Sequence, residues 1–430
     1  MFRAAPVFAV FRRTTGRPAR RGVLGLVLGV AAGFLTPPPV AAQAPTRSVT
    51  VGQYQISLLG EYLLPSATTF GGTLLGGLSS LDYDARTGRY VAISDDRGND
   101  RPASGPARYY TLGVDVGESG IRGVTVEGVT TLRRPDGTPF PDGTLDPEGM
   151  RLAPDGTLYW SSEGRRTDTL REDPFVRRTD AAGNHLGQFE LRDYFRTTPL
   201  GNAASGVADN FGFESLALSA DGRRVYTVNE NALLQDGPRA TPERGAPVRF
   251  VEYDAATGRA LAERVYVTDP AADAPRPGGA IFSGVVEAMA FDDDQFLVLE
   301  RSFSVGPDRH EIRLFLTSLA GATDVLGTPS LVGAAYTPMA KSLFLDFDSF
   351  GPYQVPLTNI EGVTFGPRLA NGDRTLLLVG DNNFGGGTPT QFIALRVATI
   401  PEPGTVALVA AGLVGVAVAA RRRSRGASQG

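Results

Sequence analysis

Short apolar runs, each followed by a turn and a second apolar run, recur along the middle of the chain. Five such pairs stand out: 79–83 with 90–96, 148–152 with 158–163, 214–218 with 225–230, 287–291 with 296–300, and 361–365 with 375–381. The connecting turns carry Thr87-Gly88, Asp155-Gly156, Asp221-Gly222, Asp292-Asp293-Asp294 and Asn371-Gly372-Asp373. These residue types supply the backbone angles of hairpin turns. The starts at 79, 148, 214, 287 and 361 are nearly evenly spaced, the signature of a repeated architecture.

Each hairpin is followed by room for two further strands, for example 108–114 and 124–132, or 248–254 and 261–267. Four antiparallel strands per repeat make the blade of a β-propeller. The chain after the fifth hairpin holds one more strand, 391–397, so the N-terminal run 55–64 is expected to supply the missing one and close the ring. The reading is an all-β propeller of five four-stranded blades; a sixth blade built from the long connection around 318–358 is the alternative. No stretch between the end segments keeps apolar residues at helical spacing.

Composition agrees and excludes several chemistries. Among 430 residues there are 53 Gly and 31 Pro but no Cys, so disulfides, thiolate metal sites and cysteine nucleophiles are ruled out. Lys341 is the single lysine, which removes the phosphate-binding loop ending in Gly-Lys-Ser/Thr. Two scattered histidines, His185 and His310, argue against a His-rich zinc centre.

The two ends read as addresses. Residues 1–42 contain no acid and place Arg12, Arg13, Arg17, Arg20 and Arg21 before an apolar run, 22–35, with Ala41-Ala42 as the cleavage end of a signal peptide. Both the general secretion route and the twin-arginine route fit this stretch. Near the other end, Pro401-Glu402-Pro403 precedes the apolar segment 404–420, read as a transmembrane helix, and then Arg421-Arg422-Arg423. This order resembles the PEP-CTERM sorting signal of Gram-negative bacteria. The resemblance implies removal by an exosortase and export to the cell surface or extracellular matrix; a plain C-terminal anchor is the alternative. The propeller domain is therefore expected over 43–399 and the sorting segment over 400–430. Ten of the 42 basic residues and one of the 46 acids lie outside 43–401, leaving 32 basic residues against 45 acids there, a net charge of −13. Such a domain disfavours nucleic acid and anionic membrane surfaces and suits cations. A monomeric domain is expected, touching the membrane only through its C-terminal segment.

The acids are not scattered. From the second hairpin onward each begins and ends with one: Glu148 and Glu163, Glu214 and Glu230, Glu287 and Glu300, Glu361 and Asp381. The first contributes Asp95 and Asp96, with Ser79 in place of the leading Glu. The first residue of one hairpin strand lies beside the last of its partner, so the pairs are expected to converge around one mouth of the channel. Packed like charges call for compensation, and oxygen-only ligands suit a divalent metal ion such as Ca²⁺. The alternative is that these acids bond to backbone amides or to Arg97, Arg165 and Arg301. Asn210, Asn229, Asn231, Asn382 and Asn383 flank the acids as further candidates. Arg97, Arg108 and Arg301 are candidates to grip a phosphate. Ser162 and Ser215 lack the elbow motif of a serine hydrolase.

The run Leu78-Ser79-Ser80-Leu81-Asp82-Tyr83-Asp84, with Ser94-Asp95-Asp96-Arg97-Gly98, Asp146-Pro147-Glu148-Gly149, Phe213-Glu214-Ser215-Leu216, Leu299-Glu300-Arg301, Asn359-Ile360-Glu361-Gly362 and Asp381-Asn382-Asn383-Phe384, resembles the phytase-like family described as having esterase-like activity. The resemblance spans roughly 77–397 and implies a β-propeller whose repeated Glu and Asp residues carry phosphoesterase or phosphodiesterase chemistry. True propeller phytases also use lysines to grip phosphate, and here Lys341 stands alone. The leading expectation is an exported, divalent-metal-dependent phosphoric ester hydrolase acting on a small-molecule phosphoester. Glu148, Glu214, Glu287 and Glu361 would serve at the metal, and Arg97 or Arg301 would steady the leaving group. A noncatalytic calcium-stabilised propeller binding matrix glycans or proteins, and a calcium-dependent lactonase or carboxylester hydrolase, are the alternatives.

Overall fold

The computed structural model describes residues 47–98, 105–167, 170–197, 205–292 and 294–400. The expected signal peptide and the segment 404–420 lie outside the described residues. No helix among the described residues is long and apolar enough to cross a membrane.

Five antiparallel sheets make five blades. Blade 1 runs through Leu78–Asp84, Arg89–Ser94, Arg108–Gly117 and Gly120–Thr131, and blade 2 through Pro147–Leu152, Leu158–Ser162, Phe175–Thr179 and His185–Gln188. Blade 3 has Phe213–Leu218, Arg224–Asn229, Pro247–Asp254 and Ala260–Val267, and blade 4 has Ile281–Asp292, Gln295–Ser304, Arg309–Ser318 and Ala340–Asp346. The long connection after residue 318 therefore supplies the outer strand of blade 4 and not a sixth blade. Blade 5 joins Asn359–Phe365, Arg374–Asp381 and Thr390–Thr399 to the N-terminal strand Tyr54–Leu64, with Ser48–Val51 added outside it. Tyr54 faces Thr399 and Leu64 faces Thr390, so the ring is closed by pairing the two ends of the domain. The innermost strands touch in sequence, and that of blade 5 returns to that of blade 1.

Alternation along each strand sends apolar residues to both faces of a blade, because each blade is sandwiched between two others. The buried clusters accordingly sit between blades. Leu81, Tyr90, Leu377 and Phe392 join blades 5 and 1, and Ile93, Tyr109, Met150 and Trp160 join blades 1 and 2. Phe213, Leu216 and Val251 pack against Tyr159 and Val176 of blade 2, and Tyr226 and Phe250 against Phe296 of blade 4.

The inner strands all start at one end of the channel, and the second strands return to it. Within the channel, Arg151 of blade 2 donates to the carbonyls of Leu81, Ala288 and Val363 at 3.1, 2.8 and 3.4 Å and pairs with Glu287 at 3.0 Å. One side chain thus ties blades 1, 2, 4 and 5 together across the axis.

Candidate active site at the propeller mouth

Every inner hairpin carries a register shift at the channel mouth, where one strand has an extra residue. The pairs on the mouth side of these shifts are Leu78 with Ser94, Pro147 with Ser162, Phe213 with Asn229, Val285 with Glu300 and Ile360 with Gly380. Beside these pairs the first strands present Ser79, Glu148, Glu214, Val286 and Glu361. The second strands present Asp95, Glu163, Glu230, Arg301 and Asp381. A bulge re-aims a side chain, and here it turns the extra residue toward the axis.

Four blades therefore bring acids to the mouth, while blade 4 brings Val286 and Arg301. Glu287 and Glu300 do not join the others, contrary to the expectation from the hairpin pattern. In blade 4 the mouth shift falls on Val286, one residue before Glu287, and Arg301, one residue after Glu300, takes the second-strand place. A slip of one residue reverses the facing of a side chain. Glu287 thus points down the channel, where it accepts from Ser80 at 2.5 Å and pairs with Arg151. Burial pushes its carboxyl up to about 7, with Arg151 opposing. Glu300 points into its blade, accepting from the Tyr266 hydroxyl at 2.6 Å, the Asp269 amide at 2.7 Å and Lys341 Nζ at 2.7 Å.

The mouth is a cup of about 400 Å³ lined by Asp95, Glu148, Glu163, Glu214, Glu361 and Asp381 among others. Asp146, two residues before Glu148, joins them and was missed from the sequence, although Asp146-Pro147-Glu148-Gly149 was among the family motifs. Its carbonyl accepts from the Glu163 amide at 3.0 Å, which places its carboxylate beside Glu163. Oxygens of Asp146, Glu148 and Glu163 lie within 4.8 Å of one another, and so do those of Glu163, Glu214 and Glu230. Glu163 belongs to both triads. It is held by the Gly212 amide at 2.7 Å, and a side chain at 212 would strike the Glu163 backbone.

Two arginines enter this group. Arg97 grips Asp146 through both Nε and Nη2, at 2.7 Å for the former, and also donates to Asn210. Arg301 donates to Glu361 and Asn359, and to Glu230 at 3.1 Å. Asp96 lines the cup but is spent on buried Arg108 at 2.9 Å and on the amides of Gly98 and Gly105. Asn229, Asn231 and Asn382 are buried in backbone contacts, whereas Asn210 and Asn383 line the cup. His185 lies on an outer strand, far in sequence position from the mouth hairpins.

Among the described residues, eight carboxylates thus face two arginines in direct contact, with Arg165 and Arg239 acting through space on Asp146 and Glu230. The surplus shows in the proton affinities. Burial first, then the charges of neighbouring acids, hold Asp95, Glu148, Glu163 and Glu214 well above the usual carboxylate range. Burial also raises Glu230 to about 7 and Glu361 to about 8, with Arg301 opposing in both. Asp95 Oδ1 is buried without a hydrogen-bond partner. Backbone strain gathers here too: Asn210, Asn383 and Phe384 adopt φ of 61°, 49° and 48° and line the cup. Gly77 permits this arrangement, since a Cβ there would lie 1.8 Å from Asp95 Oδ1 and 2.7 Å from the Phe384 ring.

The family model for the esterase-like activity of phytase matches residues 73–384, which includes every mouth residue named above. The chain belongs to the phytase-like family. A second model, for the PEP-CTERM protein-sorting motif, matches residues 399–423, so this phytase-like protein carries an export signal for exosortase-mediated sorting to the cell surface. Among curated proteins none matches. Solved structures similar to the phytase-like domain include an endo-arabinase from Bacteroides thetaiotaomicron, at 11% identity over 79% of this chain and 98% of that one, with TM-score 0.39. A β-xylosidase, RS223, is 13% identical over 79% and 94% of the two chains, with TM-score 0.40. A periplasmic gluconolactonase from Pseudomonas aeruginosa is 12% identical over 76% and 90%, with TM-score 0.35. Likeness at this level does not extend to the chemistry of the cup.

Proposed function

We propose that the mouth is the active site of a divalent-metal-dependent phosphoric ester hydrolase presented at the cell surface, with residues 404–420 as a transient membrane anchor. The observation that carries this reading is the pair of carboxylate triads sharing Glu163, set in a cup whose negative charge exceeds its positive. The donors fit a hard cation: all are oxygens and they are buried, and elsewhere in the cup Asp95 Oδ1 has no partner among the described residues. Asp146, Glu148 and Glu163, and Glu163, Glu214 and Glu230, would hold the ion, with Ca²⁺ as the favoured identity. When bound, such an ion supplies charge neutralisation for a phosphate and an acidified water.

The chain's own residues supply the rest. Arg97, held by Asp146 and Asn210, and Arg301, held by Glu361, Asn359 and Glu230, are fixed at the cup, where their positive charge favours an anionic substrate. Glu361, protonated near neutral pH, can donate its proton to the leaving alcohol from Oε2, while its Oε1 accepts from Arg301 and Asn359 and anchors the group. Glu287 and Glu300, paired elsewhere, have no part in this scheme.

The test is an assay of the exported protein against phosphomonoester, phosphodiester and lactone substrates, with millimolar Ca²⁺ or chelator. Calcium-dependent phosphoester hydrolysis that Glu214→Gln abolishes and Glu300→Gln spares is expected. Hydrolysis of lactones alone would replace this reading with a lactonase. Calcium binding without any hydrolysis would replace it with a noncatalytic surface propeller.

A further inference from the structure

Blade 4 differs from the other four blades in shape as well as in charge. Its inner strand begins at Ile281, five residues before the bulge at Val286, whereas the others begin at Leu78, Pro147, Phe213 and Asn359, within two residues of theirs. The hairpin 281–285 with 300–304 therefore rises above the acidic rim as a wall. On that wall Phe282 lies directly opposite Phe303, and Phe303 directly opposite His310. Directly opposed residues of antiparallel strands share a face, so the three rings form one row. Phe303 and His310 are in ring contact at 4.8 Å, and all three line the cup, facing Phe384 of blade 5. Phe282 is 43% exposed, among the few large apolar side chains left open to solvent.

We infer that this row is a subsite for the organic part of the ester, and that the ligand carries a flat ring next to its anionic group. The inference rests on the hydrolase reading of the mouth, because it takes the acidic floor to hold the charged end of the same molecule. Several observations converge on it. A cup of about 400 Å³ is the size of a small organic ligand and far larger than phosphate alone requires. Arg301 sits between floor and wall, two residues from Phe303, which puts the two side chains on one strand face. Arg301 Nε and His310 Nδ1 are both buried without hydrogen-bond partners, so each can bond to a polar edge of a ring stacked beside them. His310 is neutral above about pH 5, since burial and Arg301 lower its pKa to about 4, and a neutral imidazole stacks without adding charge.

Calorimetric titration of the calcium-loaded exported protein with phenylphosphonate, methylphosphonate and phenyl β-glucoside tests this directly. Phenylphosphonate is expected to bind about tenfold more tightly than methylphosphonate, the scale of one stacked ring. Phe282→Ala, at an exposed position that the fold does not need, and Phe303→Leu should each erase most of that preference while leaving methylphosphonate binding unchanged. Equal affinity for the two phosphonates, or a preference that survives both substitutions, would overturn the subsite. Should neither phosphonate bind while phenyl glucoside binds and loses affinity in Phe282→Ala, the wall stands and the phosphoester reading falls. Binding of none of the three overturns both.

Discussion

Two buried groups of charge in this protein look alike in composition and differ in balance. In blade 3, Arg249 meets Asp236 through two nitrogens, at 2.5 and 2.8 Å, and Glu263 at 2.5 Å, with all three side chains fully buried. The remaining oxygen, Glu263 Oε2, accepts from the Tyr194 hydroxyl, and Asp236 Oδ1 accepts from the Leu331 amide as well. Among the described residues at the mouth, eight carboxylates meet two arginines directly, and Asp95 keeps a buried oxygen without a partner there. The contrast teaches that burial and charge do not by themselves mark a site. A matched group serves the fold, and an unmatched one leaves its balance to be completed by something bound.

The matched group should be the more costly to break. Arg249→Ala leaves two carboxylates buried without their counter-ion, and a loss of about 3–5 kcal/mol of stability is expected, read as a large fall in the urea midpoint. A loss no greater than that of an exposed Arg→Ala substitution would show that the group is not balanced as described.

The second way to sharpen the comparison is pH. In chelator, Glu230 and Glu361 have folded-state values of about 7 and 8, against 4.5 as the ordinary value. The folded protein then holds more protons than the unfolded chain between about pH 4.5 and 8, so stability falls as pH rises through that window. The slope is about 1.4 kcal/mol per pH unit for each such group. Melting temperature measured from pH 5 to 8 in chelator should decline and then recover at the upper end on adding millimolar Ca²⁺. A flat profile without calcium would mean that the acids are already compensated within the protein.

The smallest effect has the most telling sign. Glu163→Gln removes the charge common to both triads and should raise stability in chelator by about 1 kcal/mol, by relieving repulsion. The same substitution should weaken stabilisation by Ca²⁺, so that the order of wild type and variant reverses when calcium is added. Thermal unfolding of both proteins under the two conditions checks this. A variant less stable in chelator would place Glu163 among the matched groups.

Much of this architecture is legible in the residues. Turn chemistry and paired apolar runs mark the five inner hairpins, and the shortage of strands after residue 381 points to closure by the N-terminal strand. The site is legible only where spacing and facing agree. Glu148, Glu163, Glu214, Glu230 and Glu361 fall where the pattern puts them because each hairpin shifts once, at the mouth. Glu287 and Glu300 look equivalent in the sequence, but the mouth shift of blade 4 falls on Val286, one residue before Glu287, with Arg301 in the second-strand place, and this leaves no compositional trace. Asp146 was overlooked for a related reason. It precedes its strand, outside the hairpin repeat, and its place depends on a backbone bond to Glu163 that no periodicity records.

The direction of the closing strand has its own consequence. Thr390–Thr399 starts beside the mouth and ends at the opposite end of blade 5, where Thr399 meets Tyr54 and the Ile400 amide bonds to the Gln53 carbonyl. The sorting motif begins at residue 399, so the chain departs toward it from the face farthest from the carboxylates. The cup and the exit of the chain toward the sorting motif therefore lie on opposite faces of the propeller.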